Sequence, residues 1–312
     1  ELTKYTNKSL TRIGNKYVIN YIIDLYKDKE VTFYVTLGHF SELVKQYLKL
    51  AYPNIKFNYI NIGNYNKEGS SLGYSLLQCK NYINEPFIYT CCDAIIYEDI
   101  DLSFSENTMF VTKCKDSYRY SSISVDGEYI NNIYNKGANI FDYIYIGVTY
   151  IKDFSVFFNT LDKLYYENPN NKELSDMNVY QIMIDKNKFK YKLIDNYFDI
   201  GSIITYQKAN NFFKCKYDVL IKYDESISFL KDKVIKYFYN ENKNKSRLIR
   251  AKKLENLIPV IYDYTNNYYS MQLIDSKPLS KIKKKNIIYK LLVWAKRNLW
   301  TEIKDNLNFK DI

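Results

Sequence analysis

The sequence has no run of about 18 uncharged apolar residues, so it predicts no transmembrane helix. The apolar core of a secretory signal peptide is also absent after Glu1, and because this residue is not Met we expect the true start of the protein to be missing. Hydrophobic residues make up 46% of the 312 positions and charged residues 26%, which is typical of a soluble globular protein. The length suits one large domain or two ordinary ones.

Cysteine and histidine are both scarce. The five cysteines form no CxxC pair and include the neighbours Cys91 and Cys92. This pattern argues against a zinc site or a disulfide framework and favours a reducing, cytoplasmic compartment. His39 is the only histidine and follows Gly38 at a predicted strand end. A histidine can act as a general base, but we interpret this one as a loop residue.

Positive charge is in excess, with a net charge of +10 and two basic clusters within residues 243–253 and 281–285. Such clusters can bind nucleic acid or an acidic partner. A solvated lysine-rich surface is the simpler interpretation, because Lys, Asn, Tyr and Ile are used heavily throughout the chain. No RNP, zinc-finger or GxxG motif accompanies the clusters, so nucleic-acid binding is only a minor hypothesis.

Residues 1–213 alternate strand-like and helix-like patterns, which predicts an α/β fold with a mainly parallel, Rossmann-like sheet covered by helices on both faces. The apolar run at 86–92 is interpreted as a buried parallel strand that delivers Asp93 at its carboxyl end. Asp126-Gly127 between two β-rich runs predicts a hairpin within residues 120–136. The other predicted strands are 31–37 and 56–62, and the predicted helices are 41–50, 70–83, 153–166, 174–184 and 202–213.

The pattern changes after Cys215, where short strand candidates replace the longer alternation. We therefore predict a second, smaller α+β unit, with domains at 1–216 and 217–312 that have separate cores. The predicted strands of this unit are 217–223, 229–238, 260–264 and 268–274, and its predicted helices are 246–257 and 287–300.

Two aspartates are candidate metal ligands. Asp93 ends an apolar strand, and Asp199 lies in Phe198-Asp199-Ile200-Gly201 directly before a predicted helix. Magnesium prefers hard oxygen ligands and is often held by one or two carboxylates together with substrate phosphates. The simpler alternative for each is a helix N-cap or a turn residue.

The order of several short motifs resembles the sugar-phosphate nucleotidyltransferases, the NDP-sugar pyrophosphorylase family. The resemblance covers about residues 1–213. The matching segments are Thr6-Asn7-Lys8-Ser9-Leu10 with Ile13-Gly14-Asn15-Lys16, Glu68-Gly69-Ser70-Ser71-Leu72, Cys92-Asp93, Tyr134-Asn135-Lys136-Gly137, Tyr145-Ile146-Gly147-Val148, and residues 195–201 with Tyr206, Lys208 and Ala209.

The sequence departs from the family pattern in several places. The family's Gly-rich phosphate loop, which ends in an arginine, is expected just before Glu1, and without it the backbone cradle for a triphosphate is lost. Asn7 replaces a proline, Cys92 a glycine and Asn135 a glutamate. We therefore expect this sequence by itself to be impaired in the family's reaction.

The resemblance implies a GT-A-like fold, a nucleoside triphosphate and a small phosphorylated acceptor as partners, and Mg²⁺ or Mn²⁺ as cofactor. A phosphate oxygen of the acceptor attacks the α-phosphorus, and pyrophosphate leaves. The resemblance implies catalytic roles for Lys8, Asp93 and Asp199, metal binding by Asp93 and Asp199, nucleotide binding by Glu68, Gly69, Ser70 and Ser71, and acceptor binding by Lys136 and Gly147.

Residues 217–300 resemble the N-terminal lobe of choline and aminoglycoside kinases. Val234-Ile235-Lys236 is similar to the strand whose lysine pairs with ATP phosphates in that family. No catalytic-loop aspartate follows Trp300, and with His39 as the sole histidine no His-x-Asp loop exists. We therefore assign no kinase activity to this half.

Three functions follow from these observations. The leading prediction is transfer of a nucleoside monophosphate to a sugar phosphate, for surface polysaccharide precursors. The second keeps the reaction and takes a phosphorylated amino alcohol such as phosphocholine as acceptor. The third is a non-catalytic regulatory or binding subunit. The sequence leaves the base, the acceptor and the oligomeric state open.

Overall fold

The computed structural model describes residues 3–63, 65–217, 219, 222–276, 279, 282 and 285–300. Its helices are α1 (Val18–Tyr26), α2 (Ser41–Ala51), α3 (Leu72–Leu77), α4 (Phe154–Glu167), α5 (Asp176–Met183), α6 (Ile203–Phe213), α7 (Glu241–Lys253) and α8 (Lys285–Asn298). Its strands are β1 (Arg12–Ile13), β2 (Lys16–Tyr17), β3 (Phe33–Leu37), β4 (Phe57–Asn61), β5 (Phe87–Thr90), β6 (Ala94–Ile96), β7 (Asn107–Thr112), β8 (Ser122–Asp126), β9 (Tyr129–Tyr134), β10 (Tyr143–Ile151), β11 (Phe189–Leu193), β12 (Tyr197–Asp199), β13 (Glu225–Phe229), β14 (Lys233–Phe238), β15 (Ile261–Tyr264) and β16 (Tyr268–Gln272). None of these helices is both long and apolar enough to cross a membrane.

The α/β class is confirmed, but the prediction of a mainly parallel sheet is wrong. The largest sheet has the order β5-β10-β7-β11-β9-β8, and within it β11 and β7 are parallel while the other pairs are antiparallel. A second parallel pair, β3 and β4, forms a separate two-stranded sheet. Parallel neighbours need a long crossover, whereas the chain between β7 and β10 is folded as a hairpin.

That hairpin is the one predicted around Asp126-Gly127. Strands β8 and β9 pair with Asp126 opposite Tyr129, and Gly127 has a positive φ of 58°, which glycine adopts without a steric penalty. The strand predicted at 86–92 is β5, but it pairs antiparallel with β10 and is only partly buried. It is therefore not the buried parallel strand that its apolar composition suggested.

Other boundaries differ from the predictions. The helix predicted at 70–83 is the short α3, and the helix predicted at 246–257 begins earlier, as α7. The strand predicted at 229–238 is a hairpin of β13 and β14 with Phe229 opposite Val234. The strand predicted at 217–223 includes positions that lie outside the described residues.

The second half forms an antiparallel sheet of order β13-β14-β16-β15 with α7 between β14 and β15 in the chain. This sheet packs on β2 and α2, and one buried cluster includes Tyr17 and Tyr47 from the first half with Ile235, Tyr237 and Tyr268 from the second. The expectation of two separate cores is therefore wrong. Helix α2 buries six of its eleven residues, and all six belong to this shared cluster.

Hydrogen bonds reinforce this shared cluster. The Tyr47 hydroxyl lies 3.0 Å from the Ser228 hydroxyl, and the Lys233 ammonium group donates to the Leu50 carbonyl at 2.7 Å. The backbone amide of Asn267 donates to the side-chain oxygen of Gln46 at 2.9 Å. The boundary near residue 216 stays a prediction of chain organisation, but the two sides are packed together.

We expect Ile235→Ala to destabilise both halves together. Ile235 is fully buried in the shared cluster, and removing such a side chain costs about 2–5 kcal/mol. Hydrogen exchange should show faster exchange in α1 and α2 as well as in β14, and thermal unfolding should remain one transition at a lower temperature. Ile204→Ala, at a position 67% exposed, is the control. Two transitions, of which only one shifts, would contradict a shared core.

A buried carboxyl group lies in the core beneath the large sheet. Asp176, at the start of α5, accepts a hydrogen bond from the Tyr145 hydroxyl at 2.8 Å, and Thr149 donates to the same hydroxyl at 2.9 Å. Burial raises the pKa of Asp176 to about 6, although the hydrogen bond from Tyr145 acts in the opposite direction. Ionised Asp176 is therefore destabilising in the folded protein.

We expect this group to make the free energy of unfolding fall as the pH rises from about 4 to about 6. The folded pKa lies above the value of 3.8 for a free carboxyl group, so the favourable contribution is complete at low pH and lost through the folded pKa. The shift corresponds to about 3 kcal/mol. Urea unfolding of Asp176→Asn at pH 4 and pH 7 should lack this difference, whereas exposed Asp195→Asn should retain it. An unchanged pH dependence in Asp176→Asn would contradict the assignment.

Candidate active site

Strands β6 and β12 bring Asp93 and Asp199 together. The two strands are antiparallel with Asp199 opposite Ala94, and the Ile200 amide donates to the Asp93 carbonyl at 3.1 Å. A Cβ atom on Gly201 would lie 2.9 Å from Asp199 Oδ1 and 3.7 Å from Asp93 Oδ2. The two carboxylates therefore face the same small volume, which a glycine at 201 keeps free.

Lys8 contacts the first of these carboxylates. Its ammonium group lies 2.6 Å from Asp93 Oδ2 in a half-exposed ion pair. Burial by itself would raise the pKa of Asp93, but the hydrogen bond and charge of Lys8 hold it below its usual value. Burial lowers the pKa of Lys8, and Asp93 more than reverses this effect. Both groups are consequently charged at neutral pH.

The position of Lys8 is set by Asn7. The Asn7 side chain accepts a hydrogen bond from the Ser9 amide at 2.9 Å and so caps the 3₁₀ turn Lys8–Leu10. The same side chain donates to the carbonyl of His39 at 2.6 Å. Asn7, which replaces the proline of the resembled family, thus ties the segment carrying Lys8 to the loop that follows β3.

Asp199 is held by residues that the sequence analysis missed. The Tyr120 hydroxyl donates to Asp199 Oδ2 at 2.9 Å, the Arg119 guanidinium lies 3.5 Å from the same oxygen, and the Gly201 amide donates to Oδ1 at 2.7 Å. Burial and then the charge of Asp199 raise the pKa of Tyr120 to about 12. One signal was available, because Arg119 is one of only five arginines among 45 basic residues.

The segment predicted to read the base has its small side chains engaged within the protein. The Ser71 hydroxyl accepts from the Tyr74 amide at 3.0 Å as the cap of α3, and the Ser70 hydroxyl donates to the Tyr65 carbonyl at 2.6 Å. Gly69 has φ 79°, and a Cβ there would lie 2.5 Å from the Pro169 carbonyl oxygen. Glu68 is exposed. Nucleotide binding by these four residues stays a prediction.

The two residues predicted to bind the acceptor lie in different settings. Gly147, with φ 79°, is on β10 beside Cys91, and a Cβ on it would lie 2.3 Å from the Cys91 sulfur. It is therefore close in the fold to Asp93, two residues beyond Cys91. Lys136 is exposed in a turn whose next residue donates to the Ser117 carbonyl at 2.9 Å, close in sequence to Arg119. An acceptor role for Lys136 and Gly147 stays a prediction.

A metal at this site would have two protein carboxylates. Across the part of the chain that the structure describes, no three His, Cys, Asp or Glu side chains converge as a metal-ligand group. Two carboxylates with room for phosphate oxygens suit magnesium better than a structural zinc, which takes four protein ligands.

Several solved structures resemble this chain in fold, although no match was found in two other comparisons. No family model matches the chain, and no curated protein matches it. Among solved structures, the CTP:phosphocholine cytidylyltransferase of Streptococcus pneumoniae is similar with a TM-score of 0.59 and 19% identity, over 68% of this chain and 92% of that one.

Two further solved structures are similar. The inositol-1-phosphate CTP transferase of T. maritima has a TM-score of 0.55 and 16% identity, over 70% of this chain and 91% of that one. A UDP-glucose pyrophosphorylase of Acinetobacter has a TM-score of 0.52 and 13% identity, over 67% and 86%. The chain therefore shares the mixed α/β fold of these nucleotidyltransferases.

Proposed function

We propose that this protein transfers a nucleoside monophosphate from a nucleoside triphosphate to a small phosphorylated acceptor and releases pyrophosphate. The observation that carries the proposal is the convergence of Asp93 and Asp199 on one small volume, flanked by the cations Lys8 and Arg119. Such an arrangement suits phosphoryl chemistry, because positioning and charge neutralisation supply most of its catalysis. The shared fold supports the same reaction class.

Asp93 and Asp199 would hold Mg²⁺ or Mn²⁺. The fit rests on their hard oxygen ligands, which face one space beside the absent side chain of Gly201. When bound, the ion supplies neutralisation of the charge on the phosphate oxygens. Tyr120 and the Gly201 amide orient Asp199, so that its carboxylate is positioned before any substrate arrives.

Lys8 and Arg119 would bind the phosphates. An acceptor phosphate oxygen forms a bond to the α-phosphorus while the bond from that phosphorus to the bridging oxygen of pyrophosphate breaks. The negative charge on both sides of the reaction centre requires nearby cations. Lys8 lies beside Asp93 and Arg119 beside Asp199, so a cation is present at each carboxylate.

For the acceptor we propose a sugar phosphate, with the product used in a surface polysaccharide and the enzyme located in the cytoplasm. Phosphocholine is the second candidate, and it gains support from the fold shared with a phosphocholine cytidylyltransferase. A non-catalytic subunit has less support, since both carboxylates and their cations are retained. We assign no kinase activity to the second half. Lys236 is the lysine there that resembles the ATP-pairing lysine of kinases, and burial and then the charge of Arg247 lower its pKa.

A pyrophosphate-release screen tests the proposal. Four nucleoside triphosphates are combined with glucose 1-phosphate, inositol 1-phosphate, phosphocholine and further phosphorylated acceptors, each with magnesium. Release that depends on one acceptor identifies the substrate. Absence of release with every pair, from protein that is folded, would favour the non-catalytic alternative.

We expect Asp93→Asn and Asp199→Asn each to abolish transfer while the fold is retained. Loss of a ligand charge from a metal-dependent phosphoryl site should cost on the order of several kcal/mol of transition-state stabilisation. The measurement is pyrophosphate release together with thermal unfolding, and Asp232→Asn, at an exposed position in the turn between β13 and β14, is the matched control. Near-normal turnover of both variants with magnesium would exclude the metal assignment.

Lys136→Ala tests the acceptor site. If Lys136 binds the acceptor phosphate, its loss should raise the acceptor KM about tenfold or more and leave the nucleotide KM nearly unchanged, because a charge-assisted contact contributes roughly 1.5–3 kcal/mol. Steady-state kinetics with each substrate varied in turn give both constants. Lys252→Ala, an exposed lysine on α7, controls for lost surface charge. An unchanged acceptor KM would make Lys136 an ordinary surface lysine.

A further inference from the structure

Two exposed aromatic side chains lie where the parallel strands β3 and β4 end. His39 follows Leu37, the last residue of β3, and Tyr65 follows Asn61, the last residue of β4, after a short loop. Their ring centroids are 6.3 Å apart, and Tyr65 is 41% exposed. The carboxyl ends of parallel strands in α/β folds are where ligands bind, so this pair has the placement of a binding surface.

The backbone beneath both rings is held by specific contacts. A Cβ atom on Gly38 would lie 2.9 Å from Cβ and Cγ of Tyr65, so a glycine allows the two loops to approach. Ser70 donates a hydrogen bond to the carbonyl of Tyr65, and Asn7 donates one to the carbonyl of His39. Side chains from two other segments therefore fix the positions of residues whose rings face solvent.

Phe40, the residue after His39, has a strained backbone conformation, and its ring packs against the ring of His39. It has φ 52° and is the one non-glycine residue with positive φ in the described part of the chain. A residue held in this region costs free energy, and such strain concentrates at functional sites. The Phe40 ring lies 4.1 Å from the His39 ring, centroid to centroid, and contacts Tyr239 edge-on at 6.5 Å. The His39 ring thus has a packed support.

We propose that His39 and Tyr65 form a stacking platform for the base of the bound nucleotide, an inference that rests on the proposed function. Aromatic side chains stack on every base, because every base presents a π face. The platform is joined through Asn7 to Lys8, the cation placed at the phosphates, and adjacent Cα atoms are only about 3.8 Å apart. Base and phosphates would then be bound by one continuous segment.

This assignment changes the role of two groups. The Ser70 hydroxyl donates its hydrogen bond to the backbone carbonyl of Tyr65. It therefore positions the platform and does not contact the edge of the base. His39, interpreted above as a loop residue, contacts the ligand. Because stacking depends on ring area more than on hydrogen-bond pattern, purine nucleotides should bind more tightly than pyrimidine nucleotides.

The test measures equilibrium binding of ATP, GTP, CTP, UTP and tripolyphosphate to the full chain in the presence of magnesium. In His39→Ala and Tyr65→Ala, nucleotide affinity should fall about five- to a hundredfold, the range of base–aromatic stacking, while tripolyphosphate affinity is unchanged. Tyr65→Phe should bind like the unaltered protein. Tyr262→Ala, at an exposed tyrosine 53% accessible on β15, is the matched control.

The outcomes separate this inference from the proposed function. Equal losses for tripolyphosphate and nucleotides in both alanine variants would overturn the platform, since a structural defect explains them. Unchanged nucleotide affinity in these variants would also overturn it and leave the nucleotidyltransferase proposal intact. Base-dependent binding that is lost in the variants, from a protein that releases no pyrophosphate with any acceptor, would support the platform and refute the transferase reaction.

Discussion

The antiparallel pairing of β6 with β12 is the constraint on which the candidate site depends. It places the carboxylates of Asp93 and Asp199, from distant parts of the chain, next to one small space beside Gly201. Two negative charges this close to the same space repel each other. A cation beside each carboxylate offsets this repulsion: Lys8 pairs with Asp93, and Arg119 pairs with Asp199. In the proposed reaction, a metal ion would replace the cations beside the carboxylates, and the phosphates would replace the carboxylates beside Lys8 and Arg119.

The second half of the chain supports the segment that carries Lys8. Tyr237, on β14, donates its hydroxyl to the carbonyl of Tyr5, and the ring of Tyr239 contacts the ring of Tyr5 edge-on at 5.0 Å. Tyr5 precedes Asn7 and Lys8 by only a few positions. The shared buried cluster therefore has a consequence beyond stability, because a displacement of the second sheet would move the backbone next to Lys8, the lysine proposed to bind phosphates.

The sequence could predict many of the helices and strands and could single out Asp93 and Asp199, but it could not predict which residues contact these two aspartates. Periodicity and turn residues indicated the hairpin at Asp126-Gly127 and the helices on either side of it, because these features are local. Strand order and direction depend on which distant segments pair, and an apolar run such as β5 is compatible with either direction. Arg119 and Tyr120 were missed for the same reason, since their contacts with Asp199 span about 80 positions.

The ion pair between Lys8 and Asp93 is weak enough to be exchanged. Both side chains are partly exposed, at 44% and 32%, and ion pairs open to solvent contribute about 1 kcal/mol or less. Separating them to let Lys8 contact a phosphate and Asp93 a cation would therefore cost little. Asn7 keeps the backbone in place during such an exchange, since its hydrogen bonds to Ser9 and His39 do not involve the charged groups. Lys8 and Asp93 could therefore change partners while the backbone stays in place, as the proposed binding of a phosphate and a metal ion requires.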